Sequence, residues 1–454
     1  MAVDVQATRM GRLLRSQSPP NGPSEGRRQS SGMTQDAQHW KNHLRYAAVS
    51  DIGMRRTTNQ DSYSVEMAGD LDSWQRRGHL FLVADGMGAH AAGELASKLA
   101  ADSVPHLYFK HQDLSGPESL KRAVIETNAE INRKGQANQD FHNMGTTCSV
   151  LTLLPQGAVC AHVGDSRVYR LRNGLLEQLT FDHSLVWEMR ASGQSSPDSD
   201  LDNMIPRNVI TRSLGPYPDV KVDVEGPFPV EVGDTFLLCS DGLVGEVKDE
   251  EIGLILANLP PDESAQALVD LANLRGGPDN ITVLVCEVTQ QNQGNQRASQ
   301  QPITVGGRQS SSHLLPVLWA VFIACLLATG VMAILRTWPA VIGLGVVTIF
   351  TLLGILLKQF GGDLGGTIVS GSRRFGKGPY TKTPVTADRE FLESLIAVVD
   401  ELRGDSQLGL NENHADRAIE KAQQQIVAGN TGQAIQTYVR LICRLLKELR
   451  ETKE

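Results

Sequence analysis

The chain has 454 residues, 41% of them hydrophobic and 21% charged, so it is longer than one ordinary domain needs and apolar enough to bury a large core. Its formal net charge of −8 excludes a globally basic surface, and no nucleic-acid partner is expected. Its six cysteines form no CxxC pair and no Cys/His cluster; most lie in apolar runs, where cysteine serves as a small hydrophobe in a reducing compartment.

Residues 1–42 are rich in Ser, Gln, Arg, Gly and Pro ("RSQSPPNGPSEGRRQSSG") and hold no signal-peptide core, which predicts a disordered tail. Over 43–288 strand-like runs alternate with amphipathic helices. "HLFLVADG" (79–86), "CSVLTLL" (148–154), "AVCAHVGD" (158–165), "TFLLCSDG" (235–242) and "NITVLVCEV" (280–288) read as strands, and "RVYRLRNG" as a hairpin partner of the third. Residues 91–110, 118–134, 181–191, 249–258 and 263–274 read as helices. Several strands follow one another with no helix between them, which predicts a mainly antiparallel α+β domain rather than a doubly wound sheet.

Residues 289–313 are Gln, Ser and Gly rich and read as a flexible linker. Two uncharged runs follow, 314–335 and 338–357, each about long enough to cross a ~30 Å hydrocarbon core. Their short connection predicts a two-helix transmembrane hairpin. Lys358, Arg373, Arg374, Lys377 and Lys382 follow the second run and only Arg336 sits in the turn, so both flanks are expected in the cytoplasm, with the chain tethered to the cell membrane. Residues 358–385 read as a basic juxtamembrane linker. Residues 386–454 carry three apolar stripes at helical spacing, a small helical region suited to docking or to packing on itself.

Five aspartates stand at strand ends or sharp turns beside small or amide residues: Asp61 in "RRTTNQDS", Asp85 in "LVADGM", Asp165 in "HVGDSR", Asp241 in "LLCSDGL" and Asp279 in "GGPDNIT". Carboxylates brought together repel, and a bound divalent cation removes the conflict. Hard oxygen ligands without His or Cys favour Mg²⁺ or Mn²⁺. Gly86 is the candidate for a carbonyl ligand.

Taken in order, "SDIGMRRTTNQDSY", "FLVADGMGAHAAGE", "MGTTCSVLTLL", "AHVGDSRVYRLRNGLLEQLTFDHS", "NVITRSLG", "LLCSDGLVGEV" and "GGPDNITVLV" resemble the metal-dependent protein phosphatases, the type 2C serine/threonine phosphatases, in their bacterial-style branch. The resemblance spans about 43–288. It implies an antiparallel β-sandwich flanked by helices on both sides, with the site at one end. By motif position Asp85 would bridge two metal ions, Asp61, Asp241, Asp279 and the Gly86 carbonyl would complete the centre, and Asp165 would serve a third, weaker position. Arg56 falls where the family binds phosphate. The implied reaction is hydrolysis of phosphoserine and phosphothreonine by metal-activated water at a binuclear Mn²⁺/Mg²⁺ centre. The implied partners are phosphorylated proteins and a cognate serine/threonine kinase.

Met87 stands where the eukaryotic branch has a histidine acid, so the general acid is unassigned. His90 and His183 read as structural. Residues 191–215 fall where the family carries a mobile flap. A catalytically inactive phosphoprotein-binding module is the alternative; loss of metal ligands would favour it, and none is lost.

Overall fold

In the computed structural model of the chain, the described residues are 43–88, 91–196, 204–206, 209–290, 303–305, 314–335, 367–369, 375–386, 389–404 and 412–451, with isolated positions between 339 and 352. The chain opens with β1 (Leu44–Asp51), β2 (Asp61–Glu66), α1 (Leu71–Arg77) and β3 (His79–Met87), then two long helices, α2 (Ala92–Lys110) and α3 (Gly116–Ala137). Next come β4 (Gly145–Thr146), β5 (Cys148–Leu154), β6 (Gly157–Val163), β7 (Arg167–Arg172) and β8 (Leu175–Gln178). The short helix α4 (Leu185–Ala191) leads to β9 (Asp223–Phe228) and β10 (Thr235–Cys239). Helices α5 (Asp241–Val244), α6 (Asp249–Asn258) and α7 (Pro261–Leu274) precede β11 (Ile281–Val288). Further on lie β12 (Ile303–Val305), α8 (Leu314–Ile334), β13 (Thr367–Val369), β14 (Thr381–Pro384), α9 (Arg389–Gly404), α10 (Glu412–Val427) and α11 (Thr431–Glu451).

Two antiparallel sheets stack at the centre, one in the order β1-β11-β10-β7-β8-β14 and the other β2-β3-β5-β6-β9, with β4 paired to the end of β3. The period-2 alternation of β3 explains the layering. Phe81 and Val83 point between the sheets, where they meet Leu151, Phe236, Leu238 and Leu284. Leu80, Leu82 and Ala84 point outward onto Ala96, Ala100, Val104, Leu120 and Val124 of α2 and α3. β5 and β6 are buried along their whole length, which is why they read as largely apolar runs, broken only by the buried Ser149, Thr152 and His162. Cys148, Cys160, Cys239 and Cys286 are buried and unoxidised, as their apolar settings predict.

The outer face of the first sheet carries α6 and α7, and on these sits a further layer, α9–α11. Tyr438, Ile442, Leu445 and Leu449 of α11 share one apolar core with Leu256, Leu268 and Leu271. At its edge Arg450 Nη2 donates to Asp270 Oδ1 at 2.6 Å, and Arg440 reaches Glu263 at 2.6 Å. Asp270 is only 1% exposed. Gln266 Nε2 also donates to Asp270 Oδ1 at 2.9 Å, so removing Arg450 would leave the buried carboxyl without its charge partner, and Arg450→Ala is expected to lower unfolding stability by about 3 kcal/mol in urea titrations. An unchanged midpoint would show that the layer adds no stability through this pair.

Two expectations from sequence differ from the structure, and a third is not confirmed by it. Residues 358–385 were expected as a linker, yet Thr381–Pro384 forms edge strand β14 on β8; Lys382 Nζ lies 3.3 Å from Glu177, and Pro384, at the strand end, fits an edge position. The helix expected over 181–191 starts at Leu185, because the His183 amide donates to Gly164 O at 2.8 Å and its carbonyl accepts from Thr211 N at 2.8 Å, holding the chain out of helical geometry. For the expected transmembrane hairpin, Leu314–Ile334 is a 21-residue helix, only part of whose side chains is described. Among the described residues no helix is long and apolar enough to cross a membrane. Most of 338–357 and all of 1–42 lie outside the described residues.

Candidate active site

The site forms at one end of the sandwich. Asp61 opens β2 and Asp85 lies near the end of β3, and antiparallel pairing sets the two directly opposite each other. Threonines of the next strands fix the β3 backbone: Thr147 Oγ1 accepts from Asp85 N at 2.9 Å, while Thr146 Oγ1 and Thr147 N donate to the Asp85 carbonyl at 2.9 and 2.8 Å. Gly86 can only be glycine. A Cβ there would sit 2.2 Å from Gly93 O and 2.5 Å from Gln60 O. That close approach packs the start of α2 against the strand end.

The other carboxylates arrive from the first sheet and its loops. Asp241 begins α5 at the end of β10, and its carboxyl is within hydrogen-bonding reach of Asp85. Ser240, one residue earlier, donates its hydroxyl to Asp61 Oδ2 at 2.7 Å and accepts from Thr282 N at 2.9 Å. Asp279 lies in the turn before β11, where Asn280 N donates to its Oδ1 at 2.8 Å. The Asn280 side chain ties that turn to the loop before β2: it donates to Ile52 O and Thr58 O at 2.9 and 3.0 Å and accepts from Gln60 N at 2.8 Å. Asp165 ends the β6 side of the cluster.

Burial and mutual repulsion dominate here. Burial, reinforced by Asp241 and Asp279, pushes Asp61 up to about 7. Burial and the neighbouring carboxylates hold Asp85 well above its usual range. Asp165 rises to about 8 through burial and the Asp241 charge, and Asp241 is raised by burial and Asp279. Oδ1 of Asp61, of Asp165 and of Asp241 are each buried without a hydrogen-bond partner. Buried orphan carboxylate oxygens in one cluster of like charges are what a hard divalent cation satisfies. Among the described residues no three such side chains already enclose one ion. Mg²⁺-type sites keep several waters and use one or two carboxylates per ion, so the paired arrangement still fits.

A cavity of about 460 Å³ opens beside the cluster, lined by Asp165, Asp241, Asp279, Arg56, Arg167 and Trp187 among others. Arg56 sits at its mouth, half exposed, with Nη2 donating to Asp279 Oδ2 at 2.6 Å. The structure therefore brings Arg56, Asp61, Asp85, Asp165, Asp241 and Asp279 to one place, with Gly86 next to Asp85. His90 lies outside the described residues. His183 is away from the chemistry: it is buried, accepts from Gly164 N at 3.0 Å, contacts Asp223 at 3.1 Å and stacks on His162 at 4.9 Å. Only part of the expected flap over 191–215 is described.

Sequence reading missed a second ring of residues. Arg167 pairs with Asp182 at 2.8 Å and donates to Tyr169 Oη at 2.8 Å, and Tyr169 in turn donates to Asp249 at 2.9 Å. Its only sequence signal was its place two residues after Asp165. Trp187 carried no signal at all.

Comparison with known proteins places this geometry in a class. Residues 54–269 match the family model described as protein phosphatase 2C. The serine/threonine phosphatase stp of Listeria monocytogenes is 38% identical over 243 residues, which span 52% of this chain and 93% of that protein. The solved Mycobacterium tuberculosis serine/threonine phosphatase PstP/Ppp is 36% identical, with a TM-score of 0.48, over 54% of this chain and 99% of that one. A PstP catalytic domain in complex with two manganese ions is 35% identical, with a TM-score of 0.46, over 54% of this chain and 99% of that one. The chain belongs to the protein phosphatase 2C family. It is a serine/threonine protein phosphatase.

Proposed function

We propose that the chain is a membrane-tethered phosphatase that hydrolyses phosphoserine and phosphothreonine in protein substrates. One observation carries the catalytic part: buried, mutually repelling carboxylates with orphaned oxygens sit beside an arginine at the mouth of an open cavity. In this reading Asp61, Asp85, Asp241, Asp279 and the Gly86 carbonyl hold two ions, and Asp165 with Asp241 serves a third. Bound divalent ions supply the positive charge and the activated water that phosphomonoester hydrolysis needs near neutral pH.

The chain's own residues do the rest. Thr146 and Thr147 fix the Asp85 backbone, and Ser240 orients the Asp61 carboxylate. Arg56 has five donors in a planar fork and reaches into the cavity mouth, where it would hold phosphoryl oxygens and keep phosphorus oriented. Met87 has no proton to give, so the leaving oxygen takes its proton from solvent or from another group. The test is phosphate release by the full chain in detergent with Mn²⁺, with Mg²⁺ and with chelator. Release from phosphothreonine and phosphoserine peptides, and not from phosphotyrosine peptides, supports the reading; release unaffected by chelator defeats it.

The tether rests on the two uncharged runs at 314–335 and 338–357 and the basic residues that follow them. In this reading residues 289–313 link the phosphatase domain to the membrane, and both 43–288 and 386–454 face the cytoplasm. A kinase acting on the same proteins is the natural counterpart. Full-length chain should stay with membranes through an alkaline wash; release by the wash would remove the tether.

A further inference from the structure

We propose that Trp187 is the shelf that receives the residue flanking the phosphorylated side chain, and that Phe181 and Tyr380 hold it in place. The strand returning after the two apolar runs is then part of the substrate site. This rests on the phosphatase reading above and extends it to substrate choice.

Trp187 sits on α4, a helix of seven residues, and lines the cavity that holds Asp165, Asp241 and Asp279. So short a helix cannot fix an indole by itself. A stack of side chains does so. The Phe181 ring meets Trp187 edge-on, centroids 5.3 Å apart at 88°. Tyr380 meets Phe181 at 5.4 Å and 64°. The Arg167 guanidinium, itself held by Asp182, lies 5.7 Å from the centroid of the Trp187 ring. Offset and edge-on contacts of this kind favour one ring orientation.

Tyr380 is in turn clamped to both sheets. Its hydroxyl donates to Glu225 Oε1 at 2.5 Å, and Gly378 N donates to Glu225 Oε2 at 2.9 Å, both on β9 of the second sheet. Tyr380 N donates to Gln178 O at 2.8 Å, and β14 pairs with β8 of the first sheet. The segment crosses the side of the sandwich as a strap, with its aromatic ring under the cavity wall. An indole beside a phosphate site offers an apolar face, so the ligand chemistry it fits is a phosphopeptide with an apolar or aromatic residue next to the phosphorylated one. Trp187 is thus a binding residue, and Phe181 and Tyr380 are positioning residues.

The test uses full chain with Mn²⁺ and three substrates: a phosphothreonine peptide flanked by leucine, the same peptide flanked by glycine, and N-acetyl-phosphothreonine amide. The wild type is expected to prefer the leucine peptide through KM. Trp187→Ala, on a half-exposed helix, should raise KM for that peptide about three- to tenfold, leave kcat unchanged, and not affect the amide. Tyr380→Ala should give the same pattern, and Tyr380→Phe, which keeps the ring but loses the bond to Glu225, should give a KM between that of Tyr380→Ala and wild type. Equal losses on all three substrates, or an unchanged KM in Trp187→Ala, overturn the proposal. Binding of non-hydrolysable phosphonate versions of the two peptides, read by anisotropy, separates the readings. Absence of turnover with the leucine preference intact defeats the phosphatase reading, and turnover without that preference defeats this one.

Discussion

Asp85→Asn is expected to reduce metal-dependent phosphate release by roughly a thousandfold or more, since it removes the charge on which the cluster converges. The side chain lies opposite Asp61 and within reach of Asp241, so no other group can take its place. A folding defect would lower activity for a trivial reason, and the structure provides a control. In the metal-free chain Asp85 is buried among Asp61, Asp241 and Asp165, all of which oppose its ionisation. Asparagine keeps the shape and removes that repulsion. The metal-free variant should therefore unfold at the same temperature as wild type or above it, while its turnover is lost. An inactive variant that also melts far below wild type would mean that Asp85 is structural first. Near-normal turnover would remove it from the centre.

Metal removal and pH should act together on stability. Asp61 is pushed up to about 7 and Asp165 to about 8, each from an ordinary value near 3.8, chiefly by burial. In the unfolded chain these groups lose their protons near pH 4, whereas the folded metal-free chain keeps them until pH 7 or 8. Between these limits the native state binds more protons than the unfolded state, so stability is greatest below the lower limit and falls as pH rises through the upper one. Without divalent cation the melting temperature is expected to drop by roughly 5–10 °C between pH 5 and pH 8. Saturating Mn²⁺ should recover the loss at pH 8 and have little effect at pH 5, where protons compete for the same oxygens. Differential scanning fluorimetry with and without chelator reads this directly. A chelator effect equal at both pH values would mean that these carboxylates do not hold the ion.

Much of the centre could be read from the chain because its ligands sit in local contexts with a physical signature. Asp85 and Asp241 each end a run of buried apolar residues and are followed by glycine, and Gly86 is required by backbone packing that no side chain could enter. Strands β5 and β6 were visible because they are covered on both faces. Strands β1, β2 and β9 are partly exposed, and β9 contains Gly226 and Pro227, so their alternation is too weak to stand out. The strap was hidden for another reason. Thr381–Pro384 pairs with Leu175–Gln178, about two hundred residues earlier, and neither segment carries a local mark of the other. Trp187, Phe181 and Tyr380 likewise become a unit only once the sheets have formed. The packing of α11 on α7 was open in the sequence, since its apolar stripe fits packing within its own helical region and docking equally; Arg450 and Asp270 show which surface it covers.

The most direct measurement is Mn²⁺ binding to the full chain at pH 7.5, followed by isothermal titration calorimetry, for wild type and for Asp85→Asn. More than one ion bound per wild-type chain, with the tight sites lost in the variant, is the expected result. A folded wild type that binds no Mn²⁺, or a variant that binds it as well as wild type, would contradict a metal centre built on these aspartates.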